Sequence, residues 1–505
     1  MILSTLCDMA GLAWPSGAER VEVSGICTNS AKLKKGELFV CIKGARQDGH
    51  EFLAEAIGNG ASAALVASDY SGEIPQGLCT VRADHPRAAL AYLFDAWCGH
   101  PSKSMKFVGV TGTNGKTSVS WTLYELLRHA QIPCALIGTV KCEGPAGVFP
   151  KDESGLANMT TPEPEELYPM LAAMAKEGAQ IVVMEVTSHA LAMERCAPIR
   201  FDLGIYTNVT RDHLDFHGSM EAYFAAKKKL LLQCERVLIN ADDAQLVTLR
   251  ASSPCRIHTC SARSTQAEFY PEQVSTSFAG VQYKLVSTNA RVRVNCPLSG
   301  QFAVINSIQA AAAALLLGVK AQKIKDGMPL ILPVPGRMER VSLGAGVRFS
   351  VLIDYAHTPD ALESLLRAVH KLKLRSQRIV LVFGCGGDRD KGKRAQMGQI
   401  ATRMADYCII TSDNSRSEPT VEIIADILRG VDRRAHYRVI QDRRNAIRHA
   451  VAHARAGDLI LLAGKGHETY EIKQNKREAF DEKAIVREAV AEYWQSAKDD
   501  TGQGE

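Results

Sequence analysis

Residues 106–127 join three pieces in an order that few folds accommodate. The apolar run Lys106-Phe107-Val108-Gly109-Val110 leads into the turn Thr111-Gly112-Thr113-Asn114-Gly115, and a helical pattern occupies residues 119–127. A strand that passes through a glycine-rich turn straight into a helix opens a parallel α/β unit, because the helix returns over the sheet and brings the next strand in beside the first. Gly112 and Gly115 let backbone N–H groups close on phosphate oxygens. Lys116 then reaches the outer phosphates, and Thr117 offers a hydroxyl to Mg2+ at the helix start. The strict P-loop pattern puts a glycine at what is here Val110; this chain carries Gly109 one residue earlier. Gly112, Thr113, Asn114, Gly115, Lys116, Thr117 and Ser118 are therefore the candidate ATP cradle.

The chain is too long for this unit alone. At 505 residues it implies about three domains of ordinary size. An apolar content of 46% and a charged content of 23% are those of a water-soluble globular chain. Sixty basic against 55 acidic residues, a net +5, is too even for a nucleic-acid surface. The 14 cysteines are scattered, with Cys134, Cys234 and Cys408 inside apolar runs and no C-x-x-C pair. That pattern predicts buried free thiols in a reducing cytosol, not a disulfide framework or a zinc site. The first residues lack a basic region and are broken by Asp8, Gly11 and Pro15, so they make a poor signal peptide. No stretch reaches the roughly 18 apolar residues needed to span a bilayer. The expected location is the cytoplasm.

Composition shifts place boundaries near residues 100 and 335. Residues 1–100 hold short strand-like runs, such as Ala63-Ala64-Leu65-Val66-Ala67, and read as a small α/β domain. Residues 101–335 carry the P-loop, further strands at 181–184 and 203–206, and a helix-poor, strand-like stretch at 252–300 expected to add to this central domain. At 332–341, Pro333, Pro335 and Gly336 suggest a stiff, hinge-like connector. Beyond it, strands at 350–353, 378–383, 407–411 and 458–463 alternate with helices, as in a Rossmann-like domain. Ligands of open α/β sheets bind at the carboxyl ends of strands, so four polar loops on one edge would form a site.

Other residues concentrate chemistry at such ends. Glu185 closes an apolar strand in VMEVTSHAL, where a carboxylate is costly unless paired or bound to a cation. Asp212, His213, Asp215 and His217 crowd six residues and favour a second cation, although each alone reads equally as a solvated loop residue. Lys227, Lys228 and Lys229 taken by themselves read as a solvated helix face.

The runs GTNGKTS, EVTSHAL and RDHLDFHG with YFAAK resemble the ATP-dependent Mur ligases of peptidoglycan synthesis. DYAHTPDAL (354–362), GCGGDRDKGKR (384–394) and GKGHETYE (464–471) extend the likeness over essentially the whole chain. The resemblance implies three α/β domains: residues 1–100 for the UDP-sugar, 101–335 for ATP, and 336–505 for an amino acid. It also implies an ADP-forming ligase in cell-wall synthesis. A substrate carboxylate is phosphorylated, an amine attacks the acyl phosphate, and phosphate leaves. Lys116, Thr117, Glu185 and His213 match the family's phosphate and Mg2+ positions, with two Mg2+ ions expected. Lys227 matches a lysine carbamylated by CO2, which as N6-carboxylysine would hold the second Mg2+ beside His213. Asn306, Arg337 and Asp354 match further ATP contacts, and Ala303 stands where members usually carry Asn. Ser30, Ala45, Thr160, Thr161, Thr187, Ser188 and Arg195 match contacts to the UDP-dipeptide. Around Ser30 the chain has Asn29 and Ala31 in place of the usual Asp and Arg.

The same resemblance points to the acceptor. Members that add meso-diaminopimelate carry Asp-Asn-Pro-Arg where this chain has Asp413-Asn414-Ser415-Arg416, and lysine adders lack the arginine. Arg416 can hold the second carboxylate of diaminopimelate through two parallel hydrogen bonds. Arg389 would be a second clamp, Glu468 would take the distal ammonium, and Gly464 would allow close approach. Ser415 in place of proline predicts a less rigid loop. The implied substrates are UDP-N-acetylmuramoyl-L-alanyl-D-glutamate and meso-diaminopimelate, acted on by a monomer without nucleic acid or membrane insertion. The alternatives are the L-lysine-adding counterpart, a folylpolyglutamate synthase-like ligase, and a non-catalytic nucleotide switch. The last would be expected to lose the cation ligands.

Overall fold

The computed structural model describes residues 1–44, 47–149, 159–251, 253–300 and 302–495. Contacts divide the chain into two compact units. One holds Met1–Tyr270, Val286–Ala290 and Ile308–Gly327; the other holds Pro271–Leu285, Arg291–Ser307 and the chain from Met328 onward.

The first unit contains two sheets. Strands Ile26–Cys27, Leu38–Val40, Ala63–Ala67 and Cys79–Ala83 pair in parallel in chain order. The larger sheet runs Arg256–Cys260, Arg236–Asn240, Leu203–Tyr206, Lys106–Thr111, Ile181–Glu185, Cys134–Ile137, Cys142–Gly144, Gly147–Phe149. Its first six strands are parallel and the last two antiparallel. Runs such as Ile181–Glu185 are buried at every residue, as strands covered by helices on both faces require. The Lys106–Thr111 strand lies between Leu203–Tyr206 and Ile181–Glu185. Three carboxyl ends therefore open side by side at the start of the Lys116–His129 helix. That helix buries Val119, Leu123, Leu126 and Leu127, the apolar face its spacing predicts.

The second unit is built on a six-stranded sheet. Glu339–Arg340 is antiparallel to Ser350–Asp354, and Leu459–Ala463, Ile379–Phe383, Tyr407–Ile410 and Tyr437–Val439 follow in parallel. Successive side chains on a strand face opposite sides, so Leu381 and Phe383 enter one core with the Pro359–Leu372 and Gly392–Met404 helices. Val380 and Val382 enter the other with Arg443–Ala452 and Glu482–Val490. The stretch expected to be strand-rich forms a three-stranded sheet of Tyr270–Ser277, Gly280–Val286 and Arg291–Cys296. Contacts group most of it with this unit, where Phe278 packs against the first of these cores.

The connector at 332–341 is not free along its length. Gly336 N donates to Glu339 Oε2 (2.8 Å) and Met338 N to Asp354 Oδ2 (2.7 Å), which builds its second half into the sheet edge. All 14 cysteines are free thiols; Cys134 and Cys408 are buried, while Cys234 is only half-buried. Among the described residues no helix is long and apolar enough to cross a membrane.

A buried ion pair ties the strand ends of the second unit together. Arg443, fully buried, donates from Nε to Glu482 Oε1 (2.7 Å), from Nη2 to Ala463 O (2.9 Å) and from Nη1 to Ser412 O (3.3 Å). Removing one member strands a charge. Arg443→Met should cost about 3–5 kcal/mol, and Arg443→Met with Glu482→Leu should recover much of that. Urea unfolding of the two variants checks this; equal losses would show that the pair is not what couples these elements.

Candidate active site

The phosphate-cradle turn is braced from the neighbouring strand end. Gly112 has φ +146°, and a Cβ there would collide with Thr207 Oγ1, so only glycine permits this approach. Thr207 Oγ1 and Asn208 Nδ2 donate to Asn114 O at 2.6 and 2.9 Å, and Asn114 N donates to Asn208 Oδ1 at 2.9 Å. Lys116 Nζ lies back over the turn, donating to Gly112 O and Thr113 O, both at 2.9 Å.

Glu185 is 1% exposed and both its carboxylate oxygens accept hydrogen bonds. Thr117 Oγ1 donates to Oε2 (3.1 Å), Thr139 N to Oε1 (2.8 Å) and Thr139 Oγ1 to Oε2 (3.0 Å). A Cβ on Gly138 would lie 2.5 Å from Oε1. The hydroxyl of Thr117 and the carboxylate thus converge as hard oxygen donors of the type Mg2+ takes. Thr139 escaped sequence reasoning. It follows the Cys134–Ile137 strand, and the rule that strand ends line the site was the available signal.

Lys227 is the opposite of a solvated lysine. Placed on the Met220–Lys228 helix, it is 1% exposed and donates from Nζ to Gly112 O (3.0 Å), the carbonyl that Lys116 also uses. Burial first, then Lys116, pushes its pKa well below the usual lysine range, with Asp212 opposing. The Lys227 Nζ lies 4.5 Å from the Tyr223 ring centroid, and Tyr223 shares a 2.9 Å hydroxyl contact with Thr113 Oγ1. His213, at φ +52°, packs its ring 4.7 Å from His189 and 6.4 Å from Tyr223. Among the described residues no three His, Cys, Asp or Glu side chains group as a metal site. The side chain of Asp215 lies outside the described residues.

Of the other residues of this unit, Thr160, Thr161, Thr187 and Arg195 form a connected set beside Glu185, while Ser188 and Ser30 have other partners. Thr160 Oγ1 contacts Thr139 Oγ1 (2.9 Å), and Thr161 Oγ1 donates to Glu185 O (2.8 Å) and lies 3.3 Å from Thr187 Oγ1. Arg195 is buried, donating from Nη1 to Thr161 O (2.8 Å) and pairing with Glu163. Ser188 Oγ is 3.0 Å from His217 Nε2. Ser30 is buried and donates to Glu55 Oε2 (3.0 Å), while Asn29 Oδ1 accepts from Ala31 N and closes that turn. Ala45 lies outside the described residues.

Asn306, Arg337, Asp354 and the 384–418 and 464–468 loops belong to the second unit. Asn306 is buried at the start of the Ala303–Leu316 helix. Arg337 stacks 4.9 Å from the Tyr355 ring centroid. Asp354 accepts from Met338 N and Ala356 N, and burial raises its carboxyl above the usual range against Arg337 and those amides.

Along the sheet edge the residues predicted to meet the amino acid differ in exposure. Asp413 and Asn414 are buried and internally occupied. A Cβ on Gly464 (φ +117°) would fall 2.5 Å from Asp413 Oδ2, so glycine is what lets that carboxylate pack there. Asn414 donates to Glu468 Oε2 (2.8 Å) and accepts from Lys465 Nζ (3.0 Å) and Ile472 N (2.9 Å). Ser415 is buried too, with Glu418 N donating to its carbonyl (3.0 Å). The less rigid loop expected from the missing proline is instead tied at its backbone. Arg416, Arg389 and Glu468 keep partial exposure and are the groups left to meet a ligand. Among the described residues the guanidinium bonds of Arg416 all run through Nη1, to Gly387 O (2.6 Å) and Asn414 O (3.4 Å). Burial and nearby Arg389 weigh against its cation. Burial, then Asp413, pushes the Glu468 carboxyl up. Against burial, Lys465 and Arg443 hold Asp413 low.

Three family models cover the chain: "Mur ligase family, catalytic domain" at residues 22–92, "Mur ligase middle domain" at 110–314 and "Mur ligase, glutamate ligase domain" at 336–466. Curated relatives named UDP-N-acetylmuramoyl-L-alanyl-D-glutamate–2,6-diaminopimelate ligase include one from Syntrophomonas wolfei, 39% identical over 93% of this chain and 95% of its own. Another, from Trichormus variabilis, is 40% identical over 97% of this chain and 98% of its own. A solved structure of a ligase with that name is 32% identical, covers 97% of this chain and 99% of its own, and superposes with a TM-score of 0.67. A MurF ligase from Thermotoga maritima in complex with ADP shares the fold at 18% identity, with a TM-score of 0.57 over 95% of this chain and 99% of its own.

Because Asp413 is one of the groups that raise Glu468, Asp413→Asn should lower the Glu468 pKa towards the ordinary value. In the wild-type protein the carboxyl should take up its proton at a pH above that of an exposed glutamate. A 13C titration of labelled glutamate carboxyls reads both; an unmoved Glu468 would remove Asp413 from its electrostatics.

Proposed function

The chain belongs to the Mur ligase family, and from that premise we propose that it joins meso-2,6-diaminopimelate to UDP-N-acetylmuramoyl-L-alanyl-D-glutamate with ATP, releasing ADP and phosphate. The observation that carries the reading is Arg416 and Glu468 at one sheet edge, in a chain about 40% identical to ligases of that name. The distal carbon of diaminopimelate bears a carboxylate and an ammonium. A guanidinium and a carboxylate held close together complement that pair. Lysine offers only the ammonium and would leave a desolvated arginine unpaired, a mismatch worth on the order of 10⁴-fold in selectivity.

Phosphoryl transfer to the dipeptide carboxylate forms the acyl phosphate. The amine of diaminopimelate then attacks its carbonyl carbon, and the tetrahedral intermediate expels phosphate as the amide forms. Lys116 swings from its loop carbonyls to the outer phosphates. Thr117 with Glu185, and His213 with carboxylated Lys227, would hold magnesium, which supplies charge neutralisation at the phosphates. CO2 adds to an unprotonated amine, and the burial of Lys227 together with nearby Lys116 favours that form. Thr160, Thr161, Thr187, Ser188, Arg195 and Ser30 serve the UDP-dipeptide; Asn306, Arg337 and Asp354 serve the nucleotide. The three domains are bounded near residues 100 and 335, and the step belongs to cytoplasmic precursor assembly.

Purified protein should release phosphate from ATP only with both the UDP-dipeptide and an amino acid present, and should use diaminopimelate far better than L-lysine. Arg416→Ala should raise the diaminopimelate KM roughly 100-fold and leave that of ATP unchanged. Comparable rates with both amines would refute the arginine's role and favour the lysine-adding alternative. ATP turnover that needs neither substrate would instead favour a nucleotide switch.

Lys227→Ala should abolish turnover, and a short carboxylic acid such as acetate should restore part of it by standing in for the carbamate. Full activity in the alanine variant would exclude a carboxylated lysine.

A further inference from the structure

The loops carrying Arg389 and Arg416 leave different strands, Ile379–Phe383 and Tyr407–Ile410, yet they are laced together by residues outside the ligand set. Asp388, itself at φ +53°, accepts from Ser417 Oγ (2.7 Å) and Ser417 N (3.1 Å). Its own amide donates to Glu418 Oε1 (2.6 Å). Glu418 in turn accepts from both terminal nitrogens of fully buried Arg394 (2.9 and 3.1 Å), which also donates to Gly386 O (3.2 Å). Gly387 N donates to Asn414 O (2.9 Å). The lacing brings like charges together: a Cβ on Gly386 would have Arg416 Nη1 at 3.0 Å and Arg389 Cγ at 4.0 Å.

Two guanidiniums do not converge without help. We infer that Asp388, Ser417 and Glu418 are positioning residues for amino-acid selectivity, latching the two loops so that Arg389 and Arg416 jointly grip a distal carboxylate. This rests on the reading of the site given above. The substrate carboxylate then bonds both guanidiniums directly, in addition to the more distant charges of Asp413, Glu468 and Asp388 around Arg416, and a substrate without it leaves two cations with no direct anionic partner. Asp388 and Ser417 are exposed, so changing them tests the latch without opening a core.

The test is steady-state kinetics of wild type, Asp388→Ala, Ser417→Ala and Ser417→Thr, varying diaminopimelate, L-lysine, ATP and the UDP-dipeptide in turn, with melting temperatures alongside. Losing a hydrogen bond to a charged group is worth roughly 10-fold or more. Both alanine variants should therefore raise the diaminopimelate KM by at least about 10-fold and lower the diaminopimelate-to-lysine ratio similarly. The KM values for ATP and the UDP-dipeptide and the melting temperature should hold, and Ser417→Thr should behave as wild type. A wild type that selects diaminopimelate, with variants that keep its KM and ratio, overturns the inference alone. So do variants in which every KM and the melting temperature shift together. A wild type that accepts both amines equally overturns the reading of the site and the inference with it.

Discussion

A parallel sheet delivers the carboxyl ends of its strands to one edge, and each end exposes backbone groups that need partners there. Most of the chemistry in this chain follows from that constraint. In the first unit the ends after Thr111, Glu185, Tyr206 and Ile137 supply the phosphate cradle, Glu185, Asn208 and Thr139. In the second, the ends after Asp354, Phe383, Ile410 and Ala463 supply Tyr355, Arg389, Arg416 and Glu468. Side chains such as Thr139 and Asn414 meet the backbone and carboxylate demands of those edges, and in doing so they fix the groups that act.

Two buried lysines show how much the partner set matters. Lys465 is 0% exposed and sits 3.0 Å from Asn414 Oδ1 and 3.7 Å from Glu468 Oε2. It has both an acceptor and a carboxylate within reach, the surroundings a buried ammonium needs. Lys227 is equally buried, but it shares a carbonyl oxygen with a second ammonium. Desolvation and like charge both act against its protonated form. One buried lysine has a carboxylate beside it and the other a second lysine. Residue type and helix position alone do not distinguish them.

That contrast marks where the sequence was legible. Strands such as Ala63–Ala67 and Leu203–Tyr206 were readable to the residue, because continuous apolar runs between polar turns have one sensible use in a parallel sheet. The P-loop was legible because its glycines are demanded by local backbone geometry. The burial of Lys227 was not, since Lys227-Lys228-Lys229 has no apolar signature and its environment comes from Gly112, more than a hundred residues away. Nor was the difference in burial and bonding within Asp413-Asn414-Ser415-Arg416. It depends on Lys465, Ile472 and Gly464, which only the folded sheet edge brings near.

The serine at 415 shows the same dependence on distant groups. A proline there would restrict the loop by its own ring. This chain has no such restriction, yet the loop is held from both sides: Ser412 and Asn414 are tied to Glu471 and Lys465, and Arg416 bridges to Lys473 through backbone bonds to Ile472 and Asn475. A ring lowers the entropy of the unfolded chain, whereas these bonds stabilise the folded loop directly. They also place Arg416 at φ +52°, a strained setting for a non-glycine residue that persists only when its surroundings over-determine it. The preorganisation of this arginine therefore resides in the contacts of its neighbours and not in the residue that precedes it.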